Sequence, residues 1–298
     1  MISKNLDIKK EVSLSSLTTF GIGGPADFFC ETKTKEELVK AIKWAYDNRL
    51  PYFILGGGSN VLIADKGIRG LVIKIRNSKF EIPALPAGRR NSRIVVESGL
   101  PLVTLINLAQ DNDLSGLESL VGIPGTVGGA IFGNAGGKNG TISQVVQEVT
   151  VIGVNNQIYK LTNKECKFDY RFSRFQKTGE IIISVDLKLK KAAKTIIKKN
   201  MEQFLRKREN QPKGKSAGSI FKNPPLASAG YLIENAGLKG TRIGDAIISL
   251  KHANWIINLG SAKADDVLKL ILLIKEKVKQ DFKVELIEEI KLMGDFNG

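Results

Sequence analysis

Two glycine-rich stretches carry the first chemical signal in this chain of 298 residues. Gly56, Gly57, Gly58, Ser59 and Asn60 follow directly on the apolar run Pro51–Leu55, and nine glycines fall in the 25 residues GLESLVGIPGTVGGAIFGNAGGKNG, from Gly116 to Gly140. Glycine inside regular elements costs about 0.5–1 kcal/mol relative to alanine, so a string this dense needs a return. The usual return is close backbone approach to a ligand, with bare N–H groups turned toward an anion. Two such cradles predict one long cofactor that bears phosphate. The plainer alternative for each glycine is a turn that requires positive φ.

The remaining inventory excludes more than it offers. The single histidine, His252, leaves no multi-histidine metal site and argues against a Ser-His-Asp triad. Cys30 and Cys166 belong to no CxxC or metal spacing and are expected to be two buried free thiols. A net charge of +15 points either to nucleic acid or to a polyanionic small substrate. Nine of the 45 basic residues lie between Lys188 and Arg208, a segment that reads as one basic helix with few aromatics. No helix-turn-helix, zinc-finger or ribonucleoprotein pattern accompanies it, so no nucleic-acid partner is expected. No apolar stretch reaches the roughly 18 residues that span a bilayer, and no membrane partner is expected. The start, MISKNLDIKKEV, lacks a signal-peptide core, so the expected location is cytoplasmic. A monomer is the expected state.

A chain of this length outgrows a single core, and two or three domains are expected. Thr34-Lys35-Glu36-Glu37 reads as a capping box that opens an amphipathic helix to about Asn48. Strands at Pro51–Leu55, Val61–Ala64 and Gly70–Ile75 complete a βαβ-like unit with the first glycine turn inside it. That turn is neither GxGxxG nor GxxxxGK[ST], and no nicotinamide-type Rossmann fingerprint occurs in the chain. Residues 79–93 read as a polar connection or hairpin. Strand Ile94–Glu97 and helix Pro101–Asn112 lead into the long glycine region. Strands at Glu148–Val154, Gln157–Leu161 and Glu180–Leu189 precede the basic helix at about 193–208, a domain junction. Beyond it lie a short helix near Ala229–Ala236, strands at Ile247–Leu250 and Trp255–Asn258, and a helix over about Ala264–Gln280 with apolar residues at helical spacing. A closing strand, Val284–Met293, is expected. The fold class is α+β with several sheets.

Seven segments, in order and with sensible spacing, carry a family resemblance: GGGSNVLIAD, GLESLVGIPGTVGGAIFGNAGG, DYRFSRF, SAGSIFKNP, AGYLIENAGLKG, IGDAIISLKHANWIINLG and VELIEEIKLMG. Together they resemble the UDP-N-acetylenolpyruvoylglucosamine reductases, from about Leu17 to Gly294. The resemblance implies a two-part FAD-binding domain of the PCMH and vanillyl-alcohol oxidase type, residues 1–78 and 79–205. A substrate-binding α+β domain, residues 206–298, would follow, its last strand carrying a catalytic glutamate. It also implies the reaction: NADPH reduces non-covalently held FAD, and the enolpyruvyl ether of a UDP-sugar is then reduced to UDP-N-acetylmuramate for peptidoglycan synthesis.

Residue by residue, the resemblance implies that Gly56, Gly57, Gly58, Ser59 and Asn60 hold the pyrophosphate. Gly122, Ile123, Pro124, Gly125, Thr126, Gly128 and Gly129 would pass close to the flavin and ribityl chain. Arg171 matches the arginine that binds the substrate carboxylate, a task suited to a planar guanidinium that bonds both oxygens and stays charged. Its plainer reading is a salt bridge, and Arg174 is an alternative for the role. Ser219 matches the residue proposed to protonate C2; otherwise it is a turn serine. Asn223 and Lys222 would position substrate, Arg208 would reach a diphosphate or cofactor phosphate, and Tyr170 would line the flavin. Glu285, Glu288 and Glu289 all lie on the expected last strand, where alternation groups Glu285 with Glu289, and register from Gly294 favours Glu289. Only 48 positions separate Arg171 from Ser219, too few for the inserted tyrosine loop of some members, so the chain resembles the shorter subclass. Without a separate dinucleotide domain, NADPH and the UDP-sugar would take turns at one site in ping-pong fashion. The alternative enzyme reading is an oxidase of the same flavin fold acting on an alcohol or lactone; no histidine stands near the first glycine loop for a covalent flavin link.

Overall fold

The computed structural model describes residues 6–83 and 91–296, built around three sheets and two further strand pairs. The first unit contains β1 (Lys9–Ser13), β2 (Pro25–Thr32), α1 (Lys35–Asp47), β3 (Tyr52–Leu55), β4 (Val61–Ile63) and β5 (Ile68–Ile75). Four of the strands form a sheet in the order β1-β2-β5-β3, parallel except for β1. The apolar run of β5 is buried on both faces, as a central parallel strand must be. Helix α1 covers one face with Leu38, Ala41, Ile42 and Ala45, three or four apart, against Leu71, Ile73 and Ile75. Thr34 caps α1 by accepting the Glu37 N–H, while the Glu37 carboxylate reaches back one residue further than expected, to the Lys33 N–H.

The second unit contains β6 (Phe80–Glu81), β7 (Asn91–Glu97), α2 (Leu102–Asp111), β8 (Leu114–Ser115), α3 (Val127–Phe132), β9 (Gly136–Gly137), β10 (Gly140–Thr141), β11 (Val146–Ile152), β12 (Ile158–Thr162), α4 (Phe175–Thr178), β13 (Ile181–Lys191) and α5 (Lys194–Arg208). Its sheet runs β12-β11-β13-β7-β6, with β8 on the end of β13. Antiparallel pairing of β6 with β7 makes the 79–93 segment a hairpin; residues 84–90 of it lie outside the described residues. Ile94, Val96, Val149, Val185 and Leu187 point to one face and pack with α2 and α3 in the largest core of the molecule. The basic helix α5 contributes Ile197 and Met201 to that core and turns its lysines to solvent.

The third unit holds α6 (Ala229–Asn235), β14 (Arg242–Ile243), β15 (Ala246–Ile248), β16 (Ile256–Asn258), α7 (Ala264–Phe282) and β17 (Lys291–Met293). Helix α7 buries Val267, Leu270, Ile271, Ile274 and Val278 on one stripe, in a core that also takes in Phe20, Ile22 and Leu62 from the first unit. The units are further tied by Asp65, which follows β4 and accepts the N–H groups of Ala264 at 2.9 Å and Asp265 at 3.0 Å, the first two residues of α7. His252 sits in the turn between β15 and β16; its Nδ1 accepts the Asn254 N–H, and burial pulls its pKa below the ordinary value.

The expected closing strand is corrected. Strand geometry covers only Lys291–Met293, which pairs in parallel with β4, and residues 284–290 run irregularly after Lys283 turns left-handed at φ 58°. Their partners are isolated contacts: the Lys222 N–H bonds the Ile287 carbonyl, Phe221 bridges to Glu288, and the Glu289 N–H bonds the Ile220 carbonyl. Without a ladder, alternation has no meaning there. The three glutamates therefore go three ways.

Candidate active site

The two glycine stretches meet. Ser59 donates its hydroxyl to the Pro124 carbonyl at 3.2 Å, and a Cβ on Gly56 would lie 2.8 Å from the Thr126 Oγ1. A Cβ on Gly58, at φ 64°, would lie 2.1 Å from the Leu17 carbonyl oxygen. Part of the glycine content thus serves close approach of backbone to backbone rather than to a ligand, which the sequence reading did not anticipate. What remains open is the N–H inventory. The backbone N–H groups from Gly56 to Asn60 donate to no acceptor among the described residues, and neither do those of Gly122, Gly125 and Thr126. N–H groups in a folded interior are almost always paired, so free donors at buried Gly58 and Thr126 and half-buried Gly56, Gly57, Ser59 and Gly125 make a site built for an acceptor. Thr126 caps α3 through its side chain, accepting the Gly129 N–H at 3.3 Å, while Gly128 packs over Ser98 and Gly129 is exposed.

Asn60 closes the loop onto the C-terminal segment. Its amide donates to the Glu289 carbonyl at 3.1 Å, and its own carbonyl accepts the Lys291 N–H at 2.9 Å. On the far side of Glu289 stands Arg171, with Nε 2.5 Å from Oε1 and both side chains largely buried. This N–H is not aimed along the approach, so the contact is one of charge more than of a directed hydrogen bond. Arg171 Nη1 donates to the Gly136 carbonyl at 2.5 Å. Its backbone is left-handed at φ 52°, unusual for a side chain of this size. Burial pushes the Glu289 carboxyl above its ordinary range, against the pull of Arg171 and Lys222. Glu285 and Glu288 instead pair with Lys279 and Lys275.

Arg174 is engaged away from Glu289. Its guanidinium grips Glu180 through two bonds, at 3.0 and 2.9 Å, and Glu180 also accepts the Tyr159 and Thr178 hydroxyls. Burial pushes that carboxylate up, but the hydrogen bonds from Thr178 and Tyr159 and the Arg174 charge together hold it below the ordinary value. This is a structural network beside the site.

Around Glu289 cations are in excess. Arg208 packs against Gly122 and has a pKa lowered by burial and by the Arg171 charge; Lys291 is lowered by burial and by Lys222. Neither Arg208 nor Lys222 has a carboxylate partner among the described residues. Such a cluster selects a multiply charged anion. Ser219 precedes Ile220, whose carbonyl holds the Glu289 N–H at 2.8 Å. Its hydroxyl is half-buried and makes no hydrogen bond among the described residues, unlike a turn serine bonded to its own backbone. Buried Asn254 fixes the segment by bonding both the N–H and the carbonyl of Phe221. The Tyr170 hydroxyl accepts the Asn223 N–H at 3.2 Å, while the Asn223 side-chain carbonyl holds the Ala229 N–H at the start of α6. Sequence reasoning singled out neither Gln176 nor Lys291 in this neighbourhood; the signals were Gln176's place immediately after DYRFSRF and Lys291's place within VELIEEIKLMG. Cys30 and Cys166 are free and buried, and burial pushes both thiols up to about 12.

Comparison with known proteins places the chain in a family. Residues 210–293 match the family described as UDP-N-acetylenolpyruvoylglucosamine reductase, C-terminal domain, and residues 26–162 match the FAD binding domain. The chain is 42% identical to the UDP-N-acetylenolpyruvoylglucosamine reductase of Clostridium novyi, across 97% of this chain and 93% of that one. It is 43% identical to the protein of the same name from Caldanaerobacter subterraneus subsp. tengcongensis, across 93% and 91%. The crystal structure of UDP-N-acetylenolpyruvylglucosamine reductase from Thermus caldophilus superposes with a TM-score of 0.81 at 38% identity, covering 97% of this chain and 99% of that one.

Proposed function

The chain belongs to the UDP-N-acetylenolpyruvoylglucosamine reductase family, and we propose that it reduces the enolpyruvyl ether of UDP-N-acetylglucosamine enolpyruvate to UDP-N-acetylmuramate through Arg171, Ser219 and Glu289. It is an FAD-containing oxidoreductase that uses NADPH as co-substrate. The residues suit the cofactor: eight unpartnered backbone N–H groups, from Gly56 to Asn60 and at Gly122, Gly125 and Thr126, offer anion donors with no protein acceptor among the described residues. When bound, FAD supplies the hydride that it takes from NADPH.

The protein's task is then electrostatic. An enol ether is electron-rich, so hydride addition requires the substrate carboxylate to absorb negative charge as it develops. Arg171 binds that carboxylate, Lys222 positions the substrate beside Glu289, and Arg208 reaches a diphosphate or cofactor phosphate. Ser219 delivers the proton to C2; a hydroxyl is a weak acid and serves only against a developing carbanion at short range. Glu289, whose carboxyl burial pushes above its ordinary range, stands against Arg171 beside that carboxylate as a second group able to exchange a proton. Tyr170 lines the flavin, and Asn223, whose N–H bonds the Tyr170 hydroxyl, positions the substrate. Removing one such donor typically lowers the rate by about 10²–10³. The division into residues 1–78, 79–205 and 206–298 assigns cofactor binding to the first two parts and substrate binding to the third. No helix among the described residues is long and apolar enough to cross a membrane.

One observation carries this reading: the carboxylate that contacts Arg171 is hydrogen-bonded through its own backbone to Asn60 of the glycine loop. The test follows the visible flavin band, which NADPH bleaches and the enolpyruvyl sugar nucleotide restores. Ser219→Ala leaves bleaching nearly intact and removes most of the restoration. Equal damage to both half-reactions would make Ser219 structural.

A further inference from the structure

Gln176 joins three parts of the site that are distant in sequence. Its amide nitrogen donates to the Arg171 carbonyl at 3.1 Å and to the Phe132 carbonyl at 2.9 Å, at the end of α3. Its amide oxygen accepts from Lys291 Nζ at 2.9 Å, and Lys291 lies two residues beyond Glu289. The Phe132 carbonyl also takes the hydroxyl of fully buried Ser173 at 2.6 Å, so the arginine turn is riveted to the helix. Arg171 needs such support because its left-handed backbone is not one a long side chain holds unaided. No other residue bonds both the Arg171 backbone and the strand that follows Glu289 among the described residues.

We propose that Gln176 is a positioning residue for the reduction: it locks the Arg171 turn, through Lys291, at the height where the guanidinium meets both Glu289 and an incoming carboxylate. The primary amide is suited to this because it donates twice and accepts once in one plane, with donors on two carbonyls and the acceptor on an ammonium. Neither glutamate nor leucine reproduces that pattern. This rests on the role of Arg171 proposed above, and the test separates the two.

The experiment measures the two half-reactions of the FAD-loaded protein separately, for Gln176→Leu, Arg171→Ala and the double variant. Gln176→Leu is expected to slow flavin reoxidation by the enolpyruvyl sugar nucleotide about 10- to 100-fold, with bleaching by NADPH changed less than about twofold. In the Arg171→Ala background it is expected to add no further loss, because its effect passes through Arg171. A full additional loss there, equal slowing of both half-reactions, or an unchanged Gln176→Leu enzyme would each overturn the proposal. Should Gln176→Leu fail to fold, Gln176→Glu carries the same test: it keeps an acceptor for Lys291 but cannot donate to two carbonyls, and a wild-type rate from it would refute the idea. An Arg171→Ala enzyme that reoxidises at the wild-type rate would instead remove the role given to Arg171 itself.

Discussion

A Cβ on Gly57 would sit 2.5 Å from the Gly125 Cα, a contact that no real side chain makes with backbone. The two glycine loops are therefore each other's packing surface as well as a source of N–H donors. Gly129 contrasts with them: a Cβ there meets only the Thr126 Oγ1, at an ordinary 3.6 Å.

These two glycines separate packing from ligand binding. Gly57→Ala is expected to lower the melting temperature and release FAD together, because the loops must part. Gly129→Ala, in a helical position, is expected to fold with equal or higher stability, alanine being favoured there by about 0.5–1 kcal/mol. It should nevertheless bind FAD less tightly by fluorescence titration. Undiminished FAD affinity in Gly129→Ala would place the flavin away from this helix.

Arg174 and Arg171 should fail in opposite ways. Arg174→Ala leaves the Glu180 carboxylate buried with its guanidinium gone, a loss of about 3–5 kcal/mol in chemical denaturation. Arg171→Ala should cost less stability, because the Glu289 carboxyl it leaves is already pushed toward its neutral form by burial, and far more reoxidation rate. If the two variants lose stability equally, the Arg174 network is not the structural one.

Glu289 sets a pH signature. Its folded pKa lies above the ordinary 4.5 because it is buried, despite the opposing charge of Arg171. The folded state then holds the proton more tightly than the unfolded chain. The carboxyl is harmless below about pH 4, and its ionisation destabilises the fold progressively as pH rises through the folded value. Thermal melts of Glu289→Gln should match wild type near about pH 4 and gain on it toward neutrality. The opposite trend would mean that Arg171 outweighs burial.

Asp65 couples the glycine loop region to the third unit. Asp65→Ala removes the acceptor for two N–H groups at the start of α7 and should cost about 0.5–2 kcal/mol, the range for a lost helix cap. Asp65→Asn, which retains one acceptor oxygen, should recover part of it in the same melts.

The sequence by itself determined whatever is local or motif-borne. Helices α1 and α7 were legible because apolar residues recur every three or four positions and register on a single face. The glycine loops stood out because nothing in strand or helix chemistry asks for them, and the ordered motifs identified the family. Tertiary structure alone decided what depends on partners far along the chain. Glu289 was separated from Glu285 and Glu288 not by alternation, which the irregular 284–290 segment lacks, but by its contact with Arg171, 118 positions away. The same holds for Gln176, 115 positions from Lys291, and for Gly57, whose need to be glycine arises from Gly125. Periodicity reports which face of an element is buried; it carries no record of which distant backbone or charge will arrive there, because that is fixed only when the cores close.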